Sequence, residues 1–170
     1  VEEIPTHGGS LRLFVRHENN ENLPVGEAVD RLEQREINAG LRHRAGYVTL
    51  QTAADTIRSD VLRFLHDCRS AARTVVAYGA AAKGNTLLNY CGIKGAELIA
   101  CVADRSPHKQ GMFLPGSHIP VVGEERLAEL RPDVIVILPW NLRDEISTQL
   151  TYAREWGAEF VTFVPELEVF

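Results

Sequence analysis

From residue 79 to residue 86 the chain reads Gly-Ala-Ala-Ala-Lys-Gly-Asn-Thr, directly after the apolar run TVVAY at 74–78. A strand that turns through glycines into a helix offers free first-turn N–H groups and the positive end of a helix dipole, a seat suited to a phosphate. Set against G-x-G-x-x-G, the segment keeps Gly79 and Gly84 but carries Ala81 in the middle. The first glycine permits the tight turn and the last lets helix and strand approach closely. The middle one admits a pyrophosphate to the backbone, so its loss weakens the case for a tightly cradled dinucleotide. Set against the Walker pattern, Asn85 stands where the phosphate-binding lysine belongs, which argues against an ATPase. Lys83, Asn85 and the Gly79 and Gly84 backbone are the first candidates for a diphosphate or a sugar hydroxyl. The competing reading is a small-residue turn built for packing, followed by an ordinary exposed lysine.

Asp104 ends the next strand-like run, 25 residues after Gly79. An acid at about that distance commonly holds ribose hydroxyls, although Asp104-Arg105 could equally be a surface ion pair. Arg105, His108 and Lys109 form a basic group in the loop that follows, either for phosphates or as solvated charge. Pro139-Trp140-Asn141 follows a later strand on the same side. Trp140 could stack on a base or pack between domains, whereas Asn141 is read first as a helix N-cap. His43, His66 and His118 lack a metal-ligand spacing, and no metal is expected. Cys68, Cys91 and Cys101 are odd in number and far apart, so they form neither a disulfide framework nor a zinc site. They point to a reducing, cytoplasmic setting.

The elements that must position these residues follow from periodicity. Leu11, Leu13 and Val15 alternate with Arg12, Phe14 and Arg16, predicting a strand over 10–17 paired with residues 1–5 through Thr6-His7-Gly8-Gly9. Residues 17–22 have nothing to bury and form a loop. A helix is expected from about 25 to 39, ended by Gly40. Leu50, Ala54, Ile57, Val61, Phe64 and Cys68 are spaced 4, 3, 4, 3, 4, a continuous helical stripe. It is too short for a coiled coil and should pack on a sheet. The runs at 74–78, 98–103, 119–122, 134–138 and 160–164 are short, β-branched and mostly without polar alternation, as strands buried on both faces are. Helical segments at 83–91, 124–130 and 142–156 separate them. This alternation predicts a doubly wound α/β fold with about five parallel strands in the order 3-2-1-4-5. The chain thus reads as one domain over 1–170: a hairpin and loop (1–23), a helical segment (24–73) and a βαβ core (74–170).

A length of 170 residues with 45% apolar and 24% charged residues suits one sizeable core. The net charge of −5 argues against nucleic acid. Neither a membrane span nor a signal peptide is expected. The chain starts without Met, in a strand-like run, and reads as a fragment of something longer.

Four stretches together carry a resemblance: IPTHGGSLR (4–12), YGAAAKGNTLLNY (78–90), DRSPHKQGMFLPGSHIPV (104–121) and ILPWNLRDEI (137–146). They resemble the C-terminal, Rossmann-like domain of SAM-dependent C-methyltransferases that act on nucleotide-linked (TDP-4-keto-6-) deoxysugars. The resemblance covers essentially the whole chain. It implies a parent enzyme with a zinc-binding N-terminal domain and a SAM-binding middle domain, which would be this chain's partner. The cofactor SAM and the main acid/base residues are then expected outside these 170 residues, and the fragment alone should be inactive. The reaction implied is removal of a proton beside a sugar ketone, followed by attack of the enolate carbon on the methyl of SAM. Anchoring the TDP-sugar through its nucleotide would fall to this domain. His7 and Ser10 then lie where the chain leaves the SAM domain. His7 could hydrogen-bond the sugar or assist proton transfer, or be a bystander in a tight hairpin. The alternatives are a stand-alone or regulatory Rossmann module that binds a dinucleotide or other nucleotide, or a purely structural domain.

Overall fold

A computed structural model describes residues 1–20 and 22–170. It divides into two compact units, Val1–Ala53 and Ala54–Phe170.

In the first unit, β1 (Glu2–Ile4) pairs antiparallel with β2 (Ser10–Arg12), Glu2 opposite Arg12. The reversal is sharp because His7, Gly8 and Gly9 all take positive φ, at 56°, 86° and 117°. The expected strand over 10–17 is real only to Arg12. The register ends with Glu2 opposite Arg12, and beyond it Leu13, Phe14 and Val15 are exposed, so the alternating pattern there buries no face. The loop expected at 17–22 includes residue 21, which lies outside the described residues. Helix α1 (Glu27–Asn38) follows and ends as expected: Gly40, at φ 74°, closes it with its N–H on the Ile37 carbonyl. Arg35 on α1 grips Glu3 on β1 through two 2.9 Å hydrogen bonds.

Helix α2 (Val48–Ser70) carries the long apolar stripe. Within the second unit the predicted stripe packs on the sheet through buried Val61 and Cys68 and partly buried Ile57 and Phe64, joined by Leu65, which the stripe did not include; Leu50, at its start, is exposed. The sheet contains β3 (Val75–Tyr78), β4 (Val102–Ala103), β5 (Val121–Val122), β6 (Val134–Ile137), β7 (Glu159–Thr162) and β8 (Glu168–Val169). Their order is β5-β4-β3-β6-β7-β8, with the first five parallel. That is the predicted 3-2-1-4-5 arrangement with one addition: β8 turns back antiparallel on β7, Val169 opposite Val161.

The strands are apolar on both sides because two cores sandwich them. Val75, Ala77, Val134 and Val136 face one core with α2 and with Leu88 of α3 (Ala82–Tyr90). Val76, Ile135, Ile137 and Phe160 face the other, with Leu127 of α4 (Glu125–Leu130) and Ile146 of α5 (Arg143–Gln149). Successive side chains alternate between the cores, as a pleated strand requires. Each fully buried leucine here, such as Leu65, Leu88 or Leu127, contributes roughly 2 kcal/mol by leaving water.

The helix expected over 142–156 is broken. Trp140–Leu142 is a 3-10 turn, α5 stops at Gln149, and a second 3-10 stretch runs Thr151–Trp156. Ser147 and Thr148 each donate to the Asp144 carbonyl, and Thr151 donates to the Ser147 and Thr148 carbonyls. Hydroxyls that bond back to helix carbonyls compete with the α-helical pattern and bend it. Periodicity alone does not register that competition.

All three cysteines are free and buried. Burial pushes the Cys91 thiol from the usual value near 9 up to about 11. A thiol held neutral by the fold adds stability below its unfolded pKa, and that stability is lost as pH rises from about 9 through 11. We expect alkaline titration to destabilise the wild type over that window and Cys91→Ala to flatten the loss, as read by urea melts at several pH values. A wild-type curve that matches Cys91→Ala throughout would overturn this.

Candidate functional site

The carboxyl ends of the parallel strands bring most of the predicted residues to one edge of the second unit. Gly79 leaves β3 at φ 88°, and a Cβ there would lie 2.5 Å from the Pro139 ring. Gly84, in the first turn of α3, is equally constrained, since a Cβ would meet Leu138 Cβ at 2.5 Å. Both glycines are therefore required by the approach of the turn and α3 to the end of β6. Ala81, as N-cap, sits in ordinary extended backbone, so the middle position needs no glycine. No side chain caps α3, which leaves its first turn to face whatever occupies this edge.

Lys83 Nζ donates to Asn141 Oδ1 at 3.1 Å and stands 5.5 Å from the centre of the Trp140 ring. These residues were separate candidates in sequence; the fold joins them across the point where the strand order reverses, between β3 and β6. The N-cap reading of Asn141 is corrected. Helix α5 begins only at Arg143, its N-cap is Leu142, and no side chain caps it. The intervening 3-10 turn moves Asn141 out of capping register and turns its oxygen to Lys83.

Asn85 is anchored by its neighbour, since Asn89 Nδ2 donates to the Asn85 carbonyl at 2.8 Å and to its Oδ1 at 3.2 Å. Asp104 is buried and works as a clip. Its Oδ2 accepts the Ala80 N–H at 2.7 Å and Lys109 Nζ at 3.1 Å, while Oδ1 accepts the Ser106 N–H at 2.8 Å. Lys109 also donates to the Ala80 carbonyl at 2.9 Å. Asp104 and Lys109 thus fasten the glycine turn to the loop after β4. A carboxylate offers about four acceptor positions, so one on Asp104 is uncommitted among the described residues. His108 is exposed and lines a hollow of about 250 Å³ with Ala80, Met112, Phe113 and Pro115.

One group at this edge escaped the sequence reading. Tyr78, the last residue of β3, donates its hydroxyl to Glu124 Oε2 at 2.8 Å. Gln149 Nε2 donates to both, at 2.6 Å and 2.9 Å, and Arg105 Nη1 donates to Gln149 Oε1 at 3.2 Å. Burial first, and the bond to Glu124 second, hold the Tyr78 phenol far above its usual pKa, so it stays a donor. A hydroxyl ending an otherwise apolar strand was the signal available in the sequence.

In the first unit, Ser10 Oγ donates to the Thr6 carbonyl at 2.9 Å and helps to close the hairpin. Ser10 also lines a largely apolar groove of about 860 Å³ with Ile4, Leu11, Leu32 and Leu41. His7 sits exposed in left-handed backbone at the tip. Among the described residues, no three His, Cys, Asp or Glu side chains gather as a metal set. No helix among them is long and apolar enough to cross a membrane.

Residues 5–165 match the family described as the C-methyltransferase C-terminal domain. The chain is also 30% identical, over 169 residues, to the C-methyltransferase NovU of Streptomyces niveus, covering 99% of this chain. It spans only 40% of that relative's length. With a family match over nearly all its residues and the parallel sheet that the resemblance implied, the chain belongs to the C-methyltransferase C-terminal domain family.

Proposed function

We propose that this chain is the substrate-anchoring part of a SAM-dependent C-methyltransferase that acts on a nucleotide-linked keto-deoxysugar. The observation that carries the reading is the uncapped first turn of α3 beside Lys83, Asn141 and Trp140 at the carboxyl edge of the sheet. A cation fixed by an amide, an aromatic face and a helix dipole suit a diphosphate with an attached ring. In this reading Lys83 and the Gly79–Gly84 backbone take the diphosphate, with Asn85 beside them. Asp104 offers its remaining acceptor position to a ribose hydroxyl. Arg105 and His108 border the nucleotide, while Lys109 holds the loop, and Trp140 contacts a ring of the ligand. SAM, bound outside these residues, supplies the methyl group. His7 is proposed to contact the reacting sugar, with Ser10 keeping its turn closed. The protein works in the cytoplasm.

Thermal-shift titration with TDP, a TDP-sugar, NAD and SAM tests this, because only a ligand of the native state raises its melting point. TDP and the TDP-sugar should stabilise the 170-residue chain, and SAM should not. Stabilisation by NAD alone would favour a dinucleotide module and overturn the anchoring reading. In the full-length enzyme, His7→Ala should lower kcat more than it raises KM. A change confined to KM would remove His7 from the reacting centre.

A further inference from the structure

We propose that Tyr78, Glu124 and Gln149 form a brace that presets Arg105 as an anion-binding fork for a phosphate of the nucleotide ligand. The proposal rests on the nucleotide-anchoring reading above and assigns positioning residues to it. The four side chains come from four places: the end of β3, the loop after β4, the residue before α4 and the end of α5. They share no sequence neighbourhood, yet they form one continuous hydrogen-bonded chain.

The polarity of that chain is fixed from the inside. The Glu124 carboxylate can only accept, so the Gln149 amide must turn its N–H side toward it, and the same nitrogen donates to Tyr78. Its oxygen is then left pointing the other way, where Arg105 Nη1 meets it. Rotating the amide would set its oxygen against the Glu124 carboxylate and its N–H groups against the guanidinium, losing the bonds to both charged partners.

Glu124 also attracts Arg105 Nε across 3.9 Å, a longer contact than the others. The donors from Tyr78 and Gln149 draw on the same carboxylate oxygen, so Glu124 orients the guanidinium without saturating it. Arg105 keeps 71% of its side chain exposed while Glu124 keeps 29%. Most of the five N–H donors of the guanidinium therefore face solvent, in a plane held from behind. Pre-organisation of this kind lowers the entropy lost when a planar fork captures a phosphate. A brace that only stabilised the sheet would have no need to reach an exposed arginine.

The test is calorimetric binding of TDP and of thymidine to the full-length protein, with melting temperature as the control for folding. Arg105→Ala should weaken TDP binding at least tenfold and leave thymidine binding within twofold. Glu124→Gln should weaken TDP binding about fivefold. The Arg105→Ala/Glu124→Gln pair should be no worse than Arg105→Ala alone, because the brace acts through the arginine. Arg105→Lys should recover only part of the affinity, since a point charge replaces the fork. Additive effects, an Arg105→Ala loss below twofold, or an equal loss for thymidine would each overturn the brace while leaving the anchoring reading intact. Failure of the wild type to bind TDP would overturn the anchoring reading and the brace with it.

Discussion

Asp104→Ala should lower the stability of the chain by roughly 2–4 kcal/mol, the cost of stranding donors that a buried carboxylate now satisfies. The Ala80 and Ser106 N–H groups would both lose their acceptor, and Lys109 would lose its ion pair. The pair itself contributes the smaller share, because the Lys109 side chain is 45% exposed and screened by water. For a chain of this size that loss corresponds to a fall in Tm of about 5–15 °C. Urea melts would measure it directly. Lys109→Met separates the contributions: it should cost about 1 kcal/mol or less, since both backbone N–H groups keep their carboxylate. If Asp104→Ala stayed within about 0.5 kcal/mol of wild type, the ordinary scatter of surface changes, the clip would carry no weight.

Lys83→Ala should act in the opposite manner, with a large effect on ligand and almost none on the fold. Loss of a charged hydrogen bond costs about 1–3 kcal/mol, which is roughly a 5- to 150-fold rise in the Kd for a TDP-linked sugar. The melting temperature should stay within about 2 °C, because a first-turn lysine sits at the end of the dipole that disfavours a cation. Asn141→Ala should reproduce part of the loss, since Asn141 Oδ1 fixes the ammonium group at 3.1 Å. Calorimetry of TDP-sugar binding distinguishes the outcomes. Unchanged affinity in Lys83→Ala, together with a bound TDP-sugar that avoids residues 79–85, would end the anchoring proposal.

The sequence revealed the parallel sheet well because its strands are buried on both faces and therefore lack polar relief. Their order followed from the handedness of crossovers, and the sheet has the same order. What escaped lay where side-chain hydrogen bonds override a pattern. Strand β8 is two residues long and starts at a glutamate, so no alternation announced it. The break after Gln149 comes from hydroxyls that look helix-compatible in a one-dimensional reading. At the candidate site, Lys83 and Asn141 were each visible as polar residues beside a turn. Their meeting was not, because 58 positions separate them and only the strand order brings them together. The link from Tyr78 to Glu124 and Gln149 was hidden for the same reason.

The two glycines that frame the turn bear on how such motifs should be read across genomes. A side chain at either position would collide with Pro139 or Leu138 whether or not a nucleotide ever enters. Selection on folding alone would therefore preserve them in a descendant that had lost its ligand. Under the anchoring proposal, drift in such a lineage would show first at positions 83 and 141. A survey that counts glycine spacing counts sheets of this shape; under the anchoring proposal, one that follows the lysine–asparagine couple would count the descendants that still hold a substrate.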